Sequence, residues 1–232
     1  CPFCGTLCDD LEVVVSDDGK QLLEVYNACV IGTEKFLHSQ SKDRVTRPRL
    51  HQPDGTWKEI SYDEAAEYTA QMLAKAKKPL MYGWSSTNCE AQSVGNEIAE
   101  ITRACCDNTA AVCHGTTLIA VQDIGLPSCT LGEVKNRADR IIFWGCNPVP
   151  AHPRHMSRYS IFPRGFFTGK GQMSRKMIVV DPRVTDTAKL ADVHLQVEQG
   201  KDYELLNALR VAFRGEWLPD VVAGIPTEKI RE

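Results

Sequence analysis

Four cysteines near the start of the chain have the spacing of metal ligands. Cys1, Cys4 and Cys8 lie within eight residues, and Cys29 follows about twenty residues later. An iron–sulfur cube is held by four cysteine thiolates, whereas four-cysteine zinc sites usually consist of two separated pairs. The grouping of three plus one therefore favours a 4Fe–4S cluster, and hence electron transfer. A zinc site or a set of unrelated buried thiols is the alternative.

A second candidate is Cys113-His114-Gly115, which follows the small residues Ala110 and Ala111. We expect a loop here, leading into a helix at about 117–124. A thiol just before a helix N-terminus is favoured as thiolate, and a neighbouring histidine can exchange a proton near neutral pH. Taken alone, such a pair is more often a buried free cysteine beside a surface histidine.

Further candidates follow predicted strands. Gly145-Cys-Asn-Pro148 comes directly after an apolar run, Asp181-Pro-Arg-Val-Thr185 after another, and Gly200-Lys-Asp202 about twenty residues later. Turns at strand ends present backbone N–H groups to phosphates or pterins, and carboxylates there accept hydrogen bonds from ribose or purine. Each turn alone could be an ordinary connection, whereas the ordered series is more specific.

Composition is that of a globular protein, with 43% hydrophobic and 25% charged residues and no apolar run long enough to cross a bilayer. Net charge is −3, yet residues 137–183 contain nine basic and two acidic side chains. That stretch either binds phosphates or forms a solvated face. Ten cysteines, most of them among apolar or helix-forming residues, indicate metal chemistry in a reducing, anaerobic cytoplasm. Since the chain begins with Cys1 rather than Met, we expect that it has been cut or renumbered there.

The elements that must position these residues form an α/β pattern. We predict a hairpin from strands at 11–15 and 22–26, which brings Cys29 back to the other three thiols. Capping boxes at Ser61 and Thr87 predict helices, and 79–83 a buried strand. Apolar strands at 140–145, 176–181 and 193–197, with a helix after Gly200, predict a parallel sheet. We expect a cluster-binding domain at 1–50 and an α/β domain at 51–232.

In this order, the four groups of residues resemble the molybdopterin or tungstopterin oxidoreductase family, which includes formate dehydrogenases and periplasmic nitrate reductases. Within it the chain is most similar to the B subunits of formylmethanofuran dehydrogenases, of which it matches roughly the N-terminal half. The stretches that carry the similarity are Cys4-Gly-Thr-Leu-Cys8-Asp9-Asp10, Val112-Cys113-His114-Gly115, Phe162-Pro-Arg-Gly-Phe-Phe167, and Val179-Val-Asp-Pro-Arg183 with Thr185, Thr187 and Ala191-Asp192.

The resemblance implies a small N-terminal 4Fe–4S domain followed by Rossmann-like parallel α/β domains that bind two pterin guanine dinucleotides. It assigns Cys113 as a tungsten or molybdenum ligand and His114 as the acid/base group. The positions matching those that line the dinucleotides are Gly145, Asn147, Asp181, Arg183 and Asp202. It also assigns the basic residues of 154–183 to the cofactor pyrophosphates. Formate dehydrogenases have a lysine two residues after the fourth cysteine, where this chain has Ile31; Lys35 is the candidate substitute in the electron path.

The activity implied by the resemblance is reduction of CO2 to formate, the first step of methanogenesis from CO2 in archaea. Its implied partners are an amidohydrolase-like subunit that condenses formate with methanofuran, polyferredoxins, C-terminal pterin-binding subunits and a heterodisulfide reductase complex. Two alternatives stay open. One is a free-standing formate dehydrogenase, and the other is a pterin-free electron-transfer subunit of the same fold, like the large iron–sulfur subunit of respiratory complex I.

Overall fold

The computed structural model describes residues 1–84 and 87–232, and it divides into two compact units. One unit comprises Cys1–Ser41 together with Ser128–Glu232, and the other comprises Lys42–Pro127. The sequence predicts a boundary at residue 50 between a cluster-binding part and an α/β part that binds pterin. That division by cofactor stays a prediction. No helix in the described ranges is long and apolar enough to cross a membrane.

The first unit begins with an antiparallel hairpin and a helix. Strands β1 (Glu12–Val15) and β2 (Leu22–Tyr26) pair around the turn that contains Gly19, which has a φ of +70°. Helix α1 (Val30–His38) follows directly, and Cys29 is its N-cap. The predicted hairpin is confirmed, and it returns the chain to the region of the first three cysteines.

The second unit is built from short strands and three helices. Its elements are β3 (Arg49–His51), β4 (Trp57–Glu59), α2 (Tyr62–Lys75), β5 (Leu80–Tyr82), α3 (Cys89–Thr102), β6 (Cys105–Asp107) and α4 (Thr109–Ile124). Strands β3 and β4 are antiparallel, and β5 and β6 are parallel.

Of three predictions for the second unit, one is confirmed, one is wrong and one is correct only in part. The capping box that begins α2 is present, because Ser61 Oγ accepts from Glu64 N and Glu64 accepts from Ser61 N. The box predicted at Thr87 is wrong: α3 is capped by Asn88, whose side chain accepts from Ala91 N at 2.8 Å. The strand at 79–83 is present as β5 but is not buried, since Leu80 and Tyr82 are exposed.

The remainder of the first unit carries its main sheet. Helices α5 (Leu131–Arg137) and α6 (Pro148–Ala151) flank β7 (Arg140–Trp144), and β8 (Lys176–Val180) and β9 (Val193–Leu195) follow. The chain ends with α7 (Asp202–Phe213), β10 (Val221–Val222), β11 (Ile225–Pro226) and α8 (Thr227–Arg231). Strands β7, β8 and β9 are parallel and adjacent in that order, as the sequence predicts.

Alternation along β8 places two cores on opposite faces of this sheet. Met177 and Val179 pack with Ile141 and Phe143 of β7 on one face, whereas Val180 packs with Leu205 of α7 on the other. Successive side chains of a strand point to opposite faces, so a strand covered on both sides reads as a continuous apolar run. The carboxyl ends of the three strands therefore lie along one edge, held by packing on both faces.

Candidate cofactor-binding sites

Cys1, Cys4, Cys8 and Cys29 line one pocket, together with the apolar side chains of Phe3, Leu11 and Ile31 and several further residues. All four thiols are free; Cys8 is buried, and the other three are half-buried. Cys29 is held at the start of α1, where its Sγ accepts a hydrogen bond from Gly32 N at 3.4 Å. The predicted grouping of the four thiols is therefore present in the structure.

Gly32 lies beside two of the thiols in this pocket. A Cβ built on Gly32 would lie 3.7 Å from Cys1 Sγ and 3.8 Å from Cys29 Sγ. In the described residues, no three His, Cys, Asp or Glu side chains converge closely enough to hold a single metal ion. A cube binds each thiolate through a different iron, so its ligands stand farther apart than those of one ion. Four cysteine thiolates are the donor set that a 4Fe–4S cluster uses, and the residues of this pocket fit that group.

Two arginines hold the loop that follows Cys8. Arg154 Nη1 and Nη2 donate to Asp10 Oδ1 and Oδ2 at 2.8 and 2.6 Å, and Arg158 forms ion pairs with Asp9 and Asp10. The hydrogen bond from Arg154 lowers the pKa of Asp10 to about 2. Asp10 is therefore ionised at neutral pH, and the pair ties the cysteine loop to the segment after α6.

This network corrects part of the assignment of the basic stretch to pyrophosphates. Arg154 and Arg158 are engaged by Asp9 and Asp10. Arg175 is buried, with 8% of its surface exposed, and its guanidinium donates to Thr168 Oγ1 and to main-chain oxygens. A buried guanidinium is stable only when it is hydrogen-bonded in this way. Arg175 has a structural role, whereas Arg164, Lys170 and Arg183 are at least partly exposed.

Cys113 and His114 lie within α4 rather than in a loop before a helix, so this prediction is wrong. The helix begins eight residues before the predicted start, because the side chain of Asn108 accepts from Ala110 N and caps it. Cys113 is the fifth residue of α4, beyond the first turn in which the helix dipole acts most strongly. Both side chains are exposed. Adjacent helical residues do not face each other, so a ligand would contact both only from a position between them.

Four of the five predicted dinucleotide residues lie in the turns that follow β7 and β8, and the fifth, Asp202, is the first residue of α7. Gly145, directly after β7, has a φ of +56°, and no atom of the described residues lies within 4 Å of the place a Cβ would take. Asp181, after β8, is buried and accepts from Arg183 N at 2.8 Å. Asp202 begins α7 and accepts from Trp144 Nε1 at 2.7 Å. In parallel sheets this edge is the usual position of a ligand.

Thr187 orients Asn147, and the sequence prediction gave Thr187 no such role. Thr187 Oγ1 donates to Asn147 Oδ1 at 2.5 Å and accepts from Val149 N at 3.2 Å. Thr187 is fully buried, while Asn147 is half-buried. Because Asn147 Oδ1 accepts from Thr187, the amide N–H groups are the donors that the side chain of Asn147 can offer. With the open space at Gly145, this arrangement suits the phosphate or pterin of a dinucleotide.

The model of the molybdopterin oxidoreductase family matches residues 44–220 of this chain. The chain belongs to the molybdopterin oxidoreductase family. Its α/β fold with parallel sheets is that of the family, as the sequence predicts.

Two curated relatives match the whole chain. Each is the B subunit of a tungsten-containing formylmethanofuran dehydrogenase 2, and each is 56% identical to this chain over 234 aligned residues. One is from Methanococcus maripaludis and the other from Methanocaldococcus jannaschii; the chain covers 54% and 53% of their lengths. The chain therefore spans about half the length of these relatives.

A solved structure supports the fold. Acetylene hydratase from Pelobacter acetylenicus superimposes with a TM-score of 0.61 at 18% identity, covering 92% of this chain and 31% of that one. At this level of identity the likeness concerns the fold alone.

Proposed function

We propose that this chain provides the cluster-binding region and part of the pterin-binding region of the B subunit of a formylmethanofuran dehydrogenase, which reduces CO2 to formate. The observation that carries the proposal is 56% identity over the whole chain to the B subunits of two such enzymes. The alignment extends through both compact units rather than over a single motif, so the aligned region includes the cysteine pocket, α4 and the edge of the sheet.

In this proposal Cys1, Cys4, Cys8 and Cys29 bind a 4Fe–4S cluster that brings electrons to the active site. The support is a shared pocket with an apolar lining and an amide N–H directed at Cys29 Sγ. Apolar surroundings and hydrogen bonds to sulfur are the means by which a protein sets the reduction potential of a cluster. The ten free cysteines suit a reducing cytoplasm, where we place the complex.

The edge of the sheet is proposed to bind pterin guanine dinucleotide, of which the family fold would hold two. Gly145 leaves space for a phosphate beside the backbone, and Asn147 presents N–H donors that Thr187 orients. The carboxylates of Asp181 and Asp202 provide acceptors for ribose and guanine, and Arg183 a positive charge. The donors, the acceptors and the positive charge at this edge support the proposal.

Cys113 is proposed as a ligand of tungsten or molybdenum, and His114 as the group that holds or delivers the proton. When bound, the metal–pterin centre supplies the two electrons that convert CO2 and one proton to formate. Cys113 contributes a soft thiolate donor from an exposed position on α4. The imidazole of His114 is a side chain of the type that most often transfers protons in general acid–base catalysis.

The partners proposed for the chain are the other subunits of a formylmethanofuran dehydrogenase. Both relatives are by name one of several subunits of that enzyme, which supports membership of a multi-subunit assembly. The expected partners are an amidohydrolase-like subunit, polyferredoxins, a C-terminal pterin-binding subunit and a heterodisulfide reductase complex.

The test is Cys113→Ala in the anaerobically purified complex, with Cys89→Ala as a matched control. Both cysteines are exposed and lie in helices of the second unit. We expect Cys113→Ala to abolish CO2 reduction and Cys89→Ala to leave it at the wild-type rate. A Cys113→Ala enzyme that contains metal and reduces CO2 normally would show that the ligand assignment is wrong.

Two measurements separate this function from the alternatives. A free-standing formate dehydrogenase would purify without an amidohydrolase-like subunit. A pterin-free electron-transfer subunit would contain iron but neither pterin nor a group-6 metal. The exposed Cys113 and the set of polar groups at the sheet edge favour the pterin enzyme over that last alternative.

A further inference from the structure

Thr6 carries a buried hydroxyl without a hydrogen-bonding partner among the described residues. Its side chain lies between Cys4 and Cys8 in sequence and is 1% exposed. Thr6 Oγ1 is shielded from solvent and makes no hydrogen bond to the described residues. Leaving a buried hydroxyl unpaired costs about 1–3 kcal/mol, so buried polar groups in proteins are nearly always paired.

Thr6 lines the same pocket as the four cysteines. The other lining side chains named above are apolar or are the thiols themselves, and the guanidinium of Arg154 is directed to Asp10. Among the described side chains that line the pocket, none therefore accepts a hydrogen bond from this hydroxyl, whereas the sulfurs of a bound cluster would supply an acceptor. The amide of Gly32, which donates to Cys29 Sγ at 3.4 Å, already shows a donor directed at sulfur here.

We propose that Thr6 Oγ1 donates a hydrogen bond to a sulfur of the bound 4Fe–4S cluster and thereby raises its reduction potential. This inference rests on the cluster that the proposed function assigns to the pocket. Reduction adds negative charge to the cluster, and a donor at sulfur stabilises that charge. The hydroxyl thus makes the cluster a better electron acceptor than the thiols and the apolar lining alone would.

The test is a redox titration of the cluster followed by electron paramagnetic resonance in the anaerobically purified complex. Thr6→Val removes the hydroxyl at nearly constant volume, and Thr6→Ser retains it. Thr33→Val is the matched control, because Thr33 is a half-buried residue of α1 that does not line the pocket. We expect a more negative midpoint potential in Thr6→Val, and the wild-type potential in Thr6→Ser and Thr33→Val.

A wild-type potential in Thr6→Val, with the cluster retained, would overturn the inference and leave the cluster assignment intact. If this chain in the wild-type complex contains no four-iron cluster and gives no paramagnetic resonance signal of one, the assignment of the cluster to the pocket is itself wrong. If Thr6→Val does not retain its cluster, Thr6→Ala replaces it in the same comparison with Thr6→Ser. Electron-nuclear double resonance in D2O gives an independent reading: the wild type should show an exchangeable proton coupled to the reduced cluster that the hydroxyl-free variant lacks.

Discussion

Arg154 and Asp10, which are 144 positions apart, form a bidentate ion pair. Nη1 and Nη2 of Arg154 donate to Oδ1 and Oδ2 of Asp10 at 2.8 and 2.6 Å. Asp10 follows Cys8 by two residues, so this pair holds the end of the cysteine loop against the segment after α6. Arg158 adds a second contact to Asp10. The geometry of the cysteine pocket therefore depends on charges that are far from it in sequence.

Loss of this pair should loosen the cluster. Asp10→Asn removes the negative charge of this pair. Because the side chain of Asp10 is 38% exposed, solvent screens the pair, and we expect the free energy of opening the cysteine loop to fall by about 1 kcal/mol. That free energy corresponds to about fivefold faster release of iron to a chelator through local opening. Absorbance of the chelated iron measures the rate.

Asp9→Asn is the control for this experiment. Among the ion pairs of the described residues, Asp9 takes part only in the one with Arg158, and its side chain is 80% exposed. Its substitution should change the rate less than about twofold, as for an ordinary exposed ion pair. Equal rates for the Asp10 variant and the wild type would show that the pair does not hold the cysteine loop.

The hydrogen bond from Thr187 to Asn147 should matter for pterin binding more than for folding. Thr187→Val removes the donor to Asn147 Oδ1 and the acceptor for Val149 N, whereas Thr187→Ser keeps a hydroxyl. A lost buried hydrogen bond costs about 1–3 kcal/mol, and here it also frees the amide of Asn147 to rotate. We expect less pterin per chain in the valine variant, measured by fluorescence of the oxidised pterin after acid release.

The serine variant separates orientation of Asn147 from general destabilisation. Its pterin content should approach that of the wild type, even though it lacks the methyl group of threonine. If the valine variant binds a full complement of pterin, Thr187 has no role in orienting Asn147 for the ligand.

His155 should make the stability of the first unit depend on pH. Burial, with a smaller contribution from His152, lowers the pKa of His155 below its usual value of 6.5. The folded state therefore disfavours the charged form. The stabilisation is complete above about pH 6.5 and is lost as the pH falls from there through the folded pKa.

His155→Gln should remove this part of the pH dependence. Denaturant titrations at about pH 7.5 and about pH 5.5, on either side of the ordinary histidine pKa, should show a smaller fall in unfolding free energy for the variant than for the wild type. Ile141→Val is the matched control, because it removes a methyl group from the buried core of β7 and no titratable group. It should lower stability at both pH values and keep the wild-type difference between them. An unchanged difference in His155→Gln would contradict the assignment.

Local signals in the sequence predicted much of the fold. The β1–β2 hairpin, the capping box of α2 and the three parallel strands follow from nearby residues, because turn chemistry and strand periodicity act over a few positions. The predicted start of α4 is wrong although Asn108 is an N-cap residue of the preferred type. Gly115 is unfavourable inside a helix and favoured the prediction of a loop, whereas Ala110 and Ala111 before Cys113 are strong helix formers.

Residue type and spacing were enough to establish the four thiols, their grouping and the order of the polar turns after the strands. Only the folded chain decides which polar groups form hydrogen bonds or ion pairs with one another. Asp10 forms an ion pair with Arg154, so that this guanidinium is not available to a phosphate. The guanidinium of Arg175 donates to main-chain oxygens, and Thr6 Oγ1 has no partner among the described residues. These outcomes depend on contacts between segments that are distant along the chain. For Arg175 and Thr6 burial makes the partner decisive, because a polar group removed from water must find its partner within the fold.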